Sequence, residues 1–118
     1  MRKDVDLFRL LLLDLEGEES ADLANFTTDQ INYHKALVVE AGFAEGAISY
    51  STSKDASPDI PDLAILRRLT NAGHEFLDSS KNEKVWNKAK EMVQRNGVAL
   101  TIEAMKVALA EVIKTMLK

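Results

Sequence analysis

The sequence predicts an α+β fold that is mainly α-helical and contains one small β-hairpin. The first observation is a segment at 28–41 whose start and stop as a helix are both specified by capping residues. The second is a pair of short apolar segments, 43–53 and 63–69, separated by a loop with two prolines. Such a pair predicts two antiparallel strands with a long connection. The third is apolar residues at helical spacing in 5–16 and 84–95.

Composition indicates an ordinary soluble globular protein. The chain has 118 residues, a length that suits one domain with its own core. It contains no cysteine, which excludes disulfides and thiolate metal sites. Its longest apolar run, 10–13, is far below the ~20 residues of a membrane span, and acids stand where a secretory signal has its apolar stretch. We therefore expect a cytoplasmic protein, and the net charge of −4 gives no overall support for nucleic-acid binding.

The first helix is predicted at 5–16, with Asp4 as its N-cap. Its leucines and Phe8 spread over more than one side of the helix. We therefore expect this helix to have neighbours on more than one side.

The second helix, predicted at 28–41, has the clearest local signals in the chain. Thr27 and Gln30 form a T-x-x-Q capping box at its start. Gly42 lies where a left-handed residue ends a helix, and Phe43 is placed to fold back on the last turn.

The segment 69-LTNAGHEFL-77 lies where the second predicted strand gives way to a helix. Thr70 is predicted to cap this helix by accepting a hydrogen bond from the Gly73 backbone N–H. A glycine at that position allows another stretch of backbone to come close. Leu69 and His74 occupy the two positions of a hydrophobic staple, so we expect His74 to cover the helix start. Packing explains every residue of this corner without any chemistry.

Two more helices are predicted after residue 80. The first, at 84–95, has Trp86 on its buried side, and Asn96-Gly97 ends it. The last begins at Thr101 and carries an apolar seam with helical spacing, formed by Ile102, Met105, Leu109, Val112 and Met116. We predict a domain over 1–97 and a C-terminal amphipathic helix within 98–118. That helix either packs on the domain or forms a homodimer, and the homodimer is the favoured alternative.

The predicted elements follow each other in the order of a winged helix. They are a helix, a loop, a capped helix ending in AGF, a hairpin and a helix begun by LT-x-x-G-H. The chain thus resembles a winged helix-turn-helix domain with extra C-terminal helices. It also resembles a family of small phage and bacterial proteins known only as a domain of unknown function. The residues that carry this resemblance are KDVDLFRLLL (3–12), NYHKALVVEAGF (32–43), LTNAGHEFLD (69–78) and VWNKAKE (85–91). The resemblance implies the fold and an origin in a mobile element, and it implies no activity.

No group of residues has the pattern of a catalytic or metal site. His34 and His74 are forty residues apart, without cysteines or regularly spaced carboxylates, so they do not form a ligand set. We expect both to be partly buried neutral imidazoles with hydrogen-bond partners. The serines lack a G-x-S-x-G context and all five glycines are isolated. We therefore predict a protein that is not an enzyme and needs no metal or cofactor.

The choice of function lies between DNA binding and protein binding. The resemblance favours DNA, because the second helix of a winged helix enters the major groove. Charge argues the other way, because carboxylates on that face oppose binding to phosphates. The predicted partner face consists of Asp29, Asn32, Tyr33, Lys35, Ala36 and Glu40, with Lys54 in the hairpin loop.

A second, basic patch is predicted around the fourth helix. It comprises Lys81, Lys84, Lys88 and Arg95, which are either a support for a phosphate backbone or a solvated helix face. Together these observations predict a non-enzymatic, phage-type winged-helix regulator of transcription that binds duplex DNA. The alternative is an adaptor that binds a host or phage protein through its acidic helix face.

Overall fold

The computed structural model describes residues 1–17, 22–53 and 57–117. These residues form five helices and two strands, so the chain has an α+β fold that is mainly helical. The elements in chain order are α1 (Val5–Glu16), α2 (Thr28–Glu40), β1 (Ala44–Ser49), β2 (Leu63–Leu69), α3 (Asn71–Ser80), α4 (Glu83–Arg95) and α5 (Ile102–Met116). None of the described helices is long and apolar enough to cross a membrane.

The chain divides into two compact units, Met1–His74 and Glu75–Lys118. The first contains α1, α2 and the hairpin, and the second contains α4 and α5. The boundary predicted at residue 97 therefore differs from the observed division. The reason is that α4 packs against α5 and shares a core with it.

Helix α1 begins and ends where its sequence predicts. The Asp4 side chain accepts hydrogen bonds from the backbone N–H groups of Asp6 (2.9 Å) and Leu7 (3.3 Å). Phe8 packs edge-on against Phe43, with ring centroids 5.6 Å apart. The expected spread of buried positions is also found, because α1 contacts both α2 and β2.

Both ends of α2 confirm the predicted caps. The Thr27 hydroxyl accepts from the Gln30 N–H (3.1 Å), and the Gln30 side chain accepts from the Thr27 N–H (2.8 Å). At the other end Gly42 has a φ of +78°, and the Phe43 N–H donates to the Val38 carbonyl (3.1 Å). This is the Schellman arrangement, in which a left-handed residue lets the chain turn back over the last helical carbonyls.

The hairpin is antiparallel, as predicted, and it contains a β-bulge. Ala44 lies opposite Leu69 and Glu45 opposite Arg68, but the next pair is Gly46 with Leu66. Arg67 is thus the extra residue on β2, and the usual alternation of sides is lost there. Neighbouring residues of a regular strand point to opposite sides, but at this bulge Arg67 and Arg68 are both exposed. Arg68 does pair with an acid, since its guanidinium contacts Glu45 at 2.8 Å.

The corner after the hairpin has the predicted contacts. The Thr70 hydroxyl accepts from the Gly73 N–H (3.1 Å) and donates to the Gly42 carbonyl (2.5 Å). The Thr70 N–H donates to the Phe43 carbonyl (3.0 Å). A Cβ atom on Gly73 would overlap that same carbonyl, so only glycine fits. The end of α2 and the start of α3 are therefore joined through one threonine and one glycine.

His74, in contrast, is exposed, and the prediction that it packs over the helix start was wrong. The buried positions of α3 are Gly73, Phe76, Leu77 and Ser80. This i, i+3, i+4, i+7 stripe leaves His74 beside it on the solvent side.

The core of the second unit forms around Trp86, which is buried as expected. Phe76 meets Trp86 edge-on, with ring centroids 6.2 Å apart. Three residues of the predicted dimer seam, Met105, Leu109 and Val112, are buried within the single chain. The prediction that these three face a second chain was wrong, because α4 covers them. Ile102 is half-buried and Met116 is exposed.

Replacing Thr70 with alanine should lower the free energy of unfolding by about 1–2 kcal/mol, because the Gly73 N–H loses its capping acceptor. Urea unfolding followed by circular dichroism measures this change. Thr52→Ala, at an exposed threonine outside any helix or strand, is the matched control and should cost little. Equal stability of the Thr70→Ala and Thr52→Ala proteins would contradict the capping role.

Gly73→Ala should destabilise the protein more than Thr70→Ala does, because the new Cβ must push the Phe43 carbonyl away. The same urea titration tests it. Ala72→Leu, at the exposed neighbouring position, adds more volume and should be nearly neutral. If the Gly73→Ala protein is as stable as wild type, the backbone at Gly73 is not held against the Phe43 carbonyl.

Candidate functional site

A groove of ≈360 Å³ lies in the first unit, between the first turns of α2 and the segment that leads into β2. Asp29 and Asn32 of the predicted partner face contribute to it. The residues that line the groove are Thr28, Asp29, Asn32, Ser57, Ile60, Pro61 and Asp62.

The two walls of the groove are held by local hydrogen bonds. The Asn32 side-chain amide lies 3.5 Å from the carbonyl oxygen of buried Pro61, to which it donates. The Asp62 N–H donates to the Ser49 carbonyl (2.9 Å), which fixes the loop end to β1. The Ile60 N–H donates to the Ser57 carbonyl (3.3 Å) and closes a turn within the wall. The groove is therefore built by α2 and the hairpin together.

The polar groups that face the groove are mainly hydrogen-bond acceptors. Asp29 and Asp62 are exposed carboxylates, and Thr28 and Ser57 add hydroxyl groups. None of the described residues that line the groove is basic. Such a surface suits a cationic group that donates hydrogen bonds. Within the described residues, no three His, Asp or Glu side chains come together in a way that could hold a metal ion.

The predicted partner face is only partly exposed. Asp29 and Glu40 are exposed, whereas Asn32, Tyr33 and Lys35 are half-buried. Lys54 lies outside the described residues.

Ala36 is 4% exposed, so its assignment to the outer face was wrong. It lies one turn after Asn32, on the side of α2 that meets β2. On the same side, the Lys35 ammonium donates to the Ala64 carbonyl (3.3 Å). The hairpin therefore covers part of the helix face that the sequence alone assigns to solvent. Ala41, the C-cap residue of α2, is exposed.

His34 is buried and joins two helices as a neutral imidazole. Its Nδ1 lies 2.7 Å from the Gln30 carbonyl, to which it donates, and its Nε2 accepts from the Asp4 N–H (2.8 Å). An imidazole that uses one nitrogen as a donor and the other as an acceptor carries no net charge. Burial lowers the pKa of His34 below its usual value, against the raising effects of the Gln30 carbonyl and of Asp4. The predicted neutral, hydrogen-bonded histidine is confirmed at this position.

The predicted basic patch belongs to the second unit. Lys81, Lys84, Lys88 and Arg95 are all exposed. The last three lie on α4, and Lys81 precedes the helix by two residues.

The loop side of the groove was missed from the sequence. Ser57, Ile60 and Pro61 belong to a stretch with no helical or strand periodicity. Its one signal is a pair of prolines, which restricts the loop but does not say which helix it meets.

The family described as hypothetical protein (DUF2513) matches residues 2–99 of the chain. An uncharacterised protein of Haemophilus influenzae is 33% identical over 124 residues, which cover 99% of each chain. No solved structure matches.

Lowering the pH from about 7 to 5.5 should destabilise the protein through His34. Its folded-state pKa is lowered, so the unfolded chain takes up the proton first and stability falls as the pH drops through about 6.5. Urea unfolding at several pH values should show a flatter profile for His34→Gln than for wild type. His74→Gln, at the exposed histidine, is the matched control for the loss of one imidazole. If the stability of His34→Gln depends on pH in the same way as that of wild type, His34 is not the group that destabilises the protein at low pH.

Proposed function

The chain belongs to the DUF2513 family of hypothetical proteins, and we propose that it is a non-enzymatic adaptor that binds a basic segment of a partner protein. The groove between α2 and the loop before β2 is the proposed contact. The observation that carries the proposal is the pair of exposed carboxylates, Asp29 and Asp62, in a groove whose described lining residues include no basic one.

A guanidinium or ammonium group is the natural complement of this groove. Carboxylates accept two parallel hydrogen bonds from arginine, and charge-assisted bonds of this kind are stronger than neutral ones. The hydroxyl groups of Thr28 and Ser57 offer further acceptors at the groove wall. Ile60 and Pro61 supply apolar surface against which the methylene stem of such a side chain can pack.

The charge of the first unit supports a basic partner. Residues 1–74 contain thirteen Asp or Glu and seven Lys or Arg, a net charge of −6, whereas residues 75–118 carry +2. A field of this sign attracts basic segments and repels a phosphate backbone.

DNA binding by a winged helix is the second candidate, because α2 is followed directly by an antiparallel hairpin as in that fold. Arg67, exposed at the bulge, would be one phosphate contact. Against it, Lys35 donates to the Ala64 carbonyl, and Asp29 and Glu40 are the exposed charges of α2. The charge of the helix face therefore favours the adaptor.

A fluorescein-labelled arginine-rich peptide should bind the full chain in a fluorescence-anisotropy titration, more weakly as salt is added. Asp29→Asn with Asp62→Asn should weaken binding roughly three- to tenfold, since exposed ion pairs contribute about 0.2–1 kcal/mol each. Asp14→Asn with Asp22→Asn removes the same charge from exposed positions outside both the groove and the predicted partner face, and is the matched control.

Equal weakening in both double variants would mean that overall charge, and not the groove, holds the peptide. A parallel titration with mixed-sequence duplex DNA separates the two candidates. Steeply salt-dependent DNA binding without peptide binding would replace the adaptor with the DNA-binding function.

A further inference from the structure

The second unit has a cleft of its own, between α4 and α5, with a volume of ≈130 Å³. Among the described residues, none lines both this cleft and the groove of the first unit. The residues that line it are Lys88, Glu91, Met92, Arg95, Val112, Thr115 and Met116.

The floor and one edge of the cleft are apolar. Val112 is buried, Met92 is half-buried, and Met116 is 61% exposed at the end of α5. A cavity of about 150 Å³ holds a benzene-sized group, so the cleft has room for one large apolar side chain. Methionines adapt to side chains of different shape because they are unbranched and flexible.

The rim of the cleft is basic. Lys88 and Arg95 are exposed two turns apart on α4, and neither has an ion-pair or hydrogen-bond partner among the residues that the structure describes. Glu91 lies between them on the same helix, so the rim has two cations and one carboxylate. The surrounding unit is also basic, with a net charge of +2.

We propose that this cleft binds an acidic peptide segment of a partner protein, with an apolar anchor side chain on the floor and carboxylates at Lys88 and Arg95. An apolar anchor in a pocket with charges at its edge is a common form of peptide recognition. Nucleic acid fits less well, because single strands stack on aromatic rings and none of the described residues that line the cleft is aromatic. The two units of the chain then bind segments of opposite charge.

The probe is a fluorescein-labelled peptide with a single leucine between glutamates, titrated against the full chain by fluorescence anisotropy. Lys88→Gln with Arg95→Gln should weaken binding roughly three- to tenfold. Met116→Gln, at an exposed apolar position, should weaken it as well. Lys84→Gln with Lys114→Gln removes the same charge from exposed lysines of this unit that do not line the cleft, and should change binding less than twofold by the same scale.

Two comparison peptides make the test specific. Replacing the leucine with glycine and replacing the glutamates with glutamine should each reduce binding. Any of three results would overturn the proposal. The wild-type protein shows no saturable binding, the cleft variant and the control double variant lose binding equally, or the peptides with leucine and with glycine bind equally well. Sedimentation equilibrium tests whether a second copy of the chain occupies the cleft. Self-association that is lost in Lys88→Gln with Arg95→Gln would assign the cleft to that second copy and overturn the peptide proposal.

Discussion

The contact of the Gly73 backbone with the Phe43 carbonyl is the constraint on which the first unit depends. That carbonyl also accepts from the Thr70 N–H, while the Thr70 hydroxyl connects the Gly42 carbonyl to the Gly73 N–H. These hydrogen bonds bring four segments to one point. They are the last turn of α2, Phe43 just before β1, the end of β2 and the start of α3. Because buried backbone groups must find partners, a change at this point affects several elements together.

Helix α2 is covered on two sides, and this determines what remains for a partner. His34 connects it to the N-cap of α1, whereas Asn32 and Lys35 connect it to the loop and strand of the hairpin. Each of these polar side chains forms a hydrogen bond with a backbone group. They therefore position the helix and are not available for contacts with a partner. The exposed part is a strip that includes Asp29 and Glu40. The proposed adaptor function follows from this geometry, since the acids stay accessible while Lys35, the one lysine of α2, is used within the fold.

Local signals in the sequence predicted the elements and their ends well. The caps at Asp4, Thr27 and Thr70 and the left-handed Gly42 depend on residues within a few positions of one another, so one sequence is enough to identify them. The close approach at Gly73 was also predictable, because a glycine in the first turn of a helix has few other reasons to be there.

The errors concern the direction of side chains relative to distant elements. Ala36 is buried although helical spacing assigned it to the outer face, and His74 is exposed although its staple position suggested that it covers the helix start. Periodicity shows which residues share a helix face, but it does not show how many neighbours the helix has. The same holds for Met105 and Leu109, whose apolar stripe is satisfied by α4 of the same chain. For this reason only the helix side of the groove was predicted. That side follows helical spacing, whereas the loop side has no periodicity in the sequence.

The bulge at Arg67 separates the hairpin into two parts with different strand registers. On one side, Ala44 and Leu69 keep their pairing next to the corner, and on the other side the pairs run from Gly46–Leu66 to Ser49–Leu63. An extra residue in one strand absorbs an offset that would otherwise move every side chain to the opposite face. The segment 50–62 connects the two strands at the end of the hairpin away from the corner at Phe43 and Gly73, so a change in its length leaves the strand pairs next to that corner in place. The groove wall, which belongs to that segment, can diversify in length and chemistry while the scaffold that carries it stays constant.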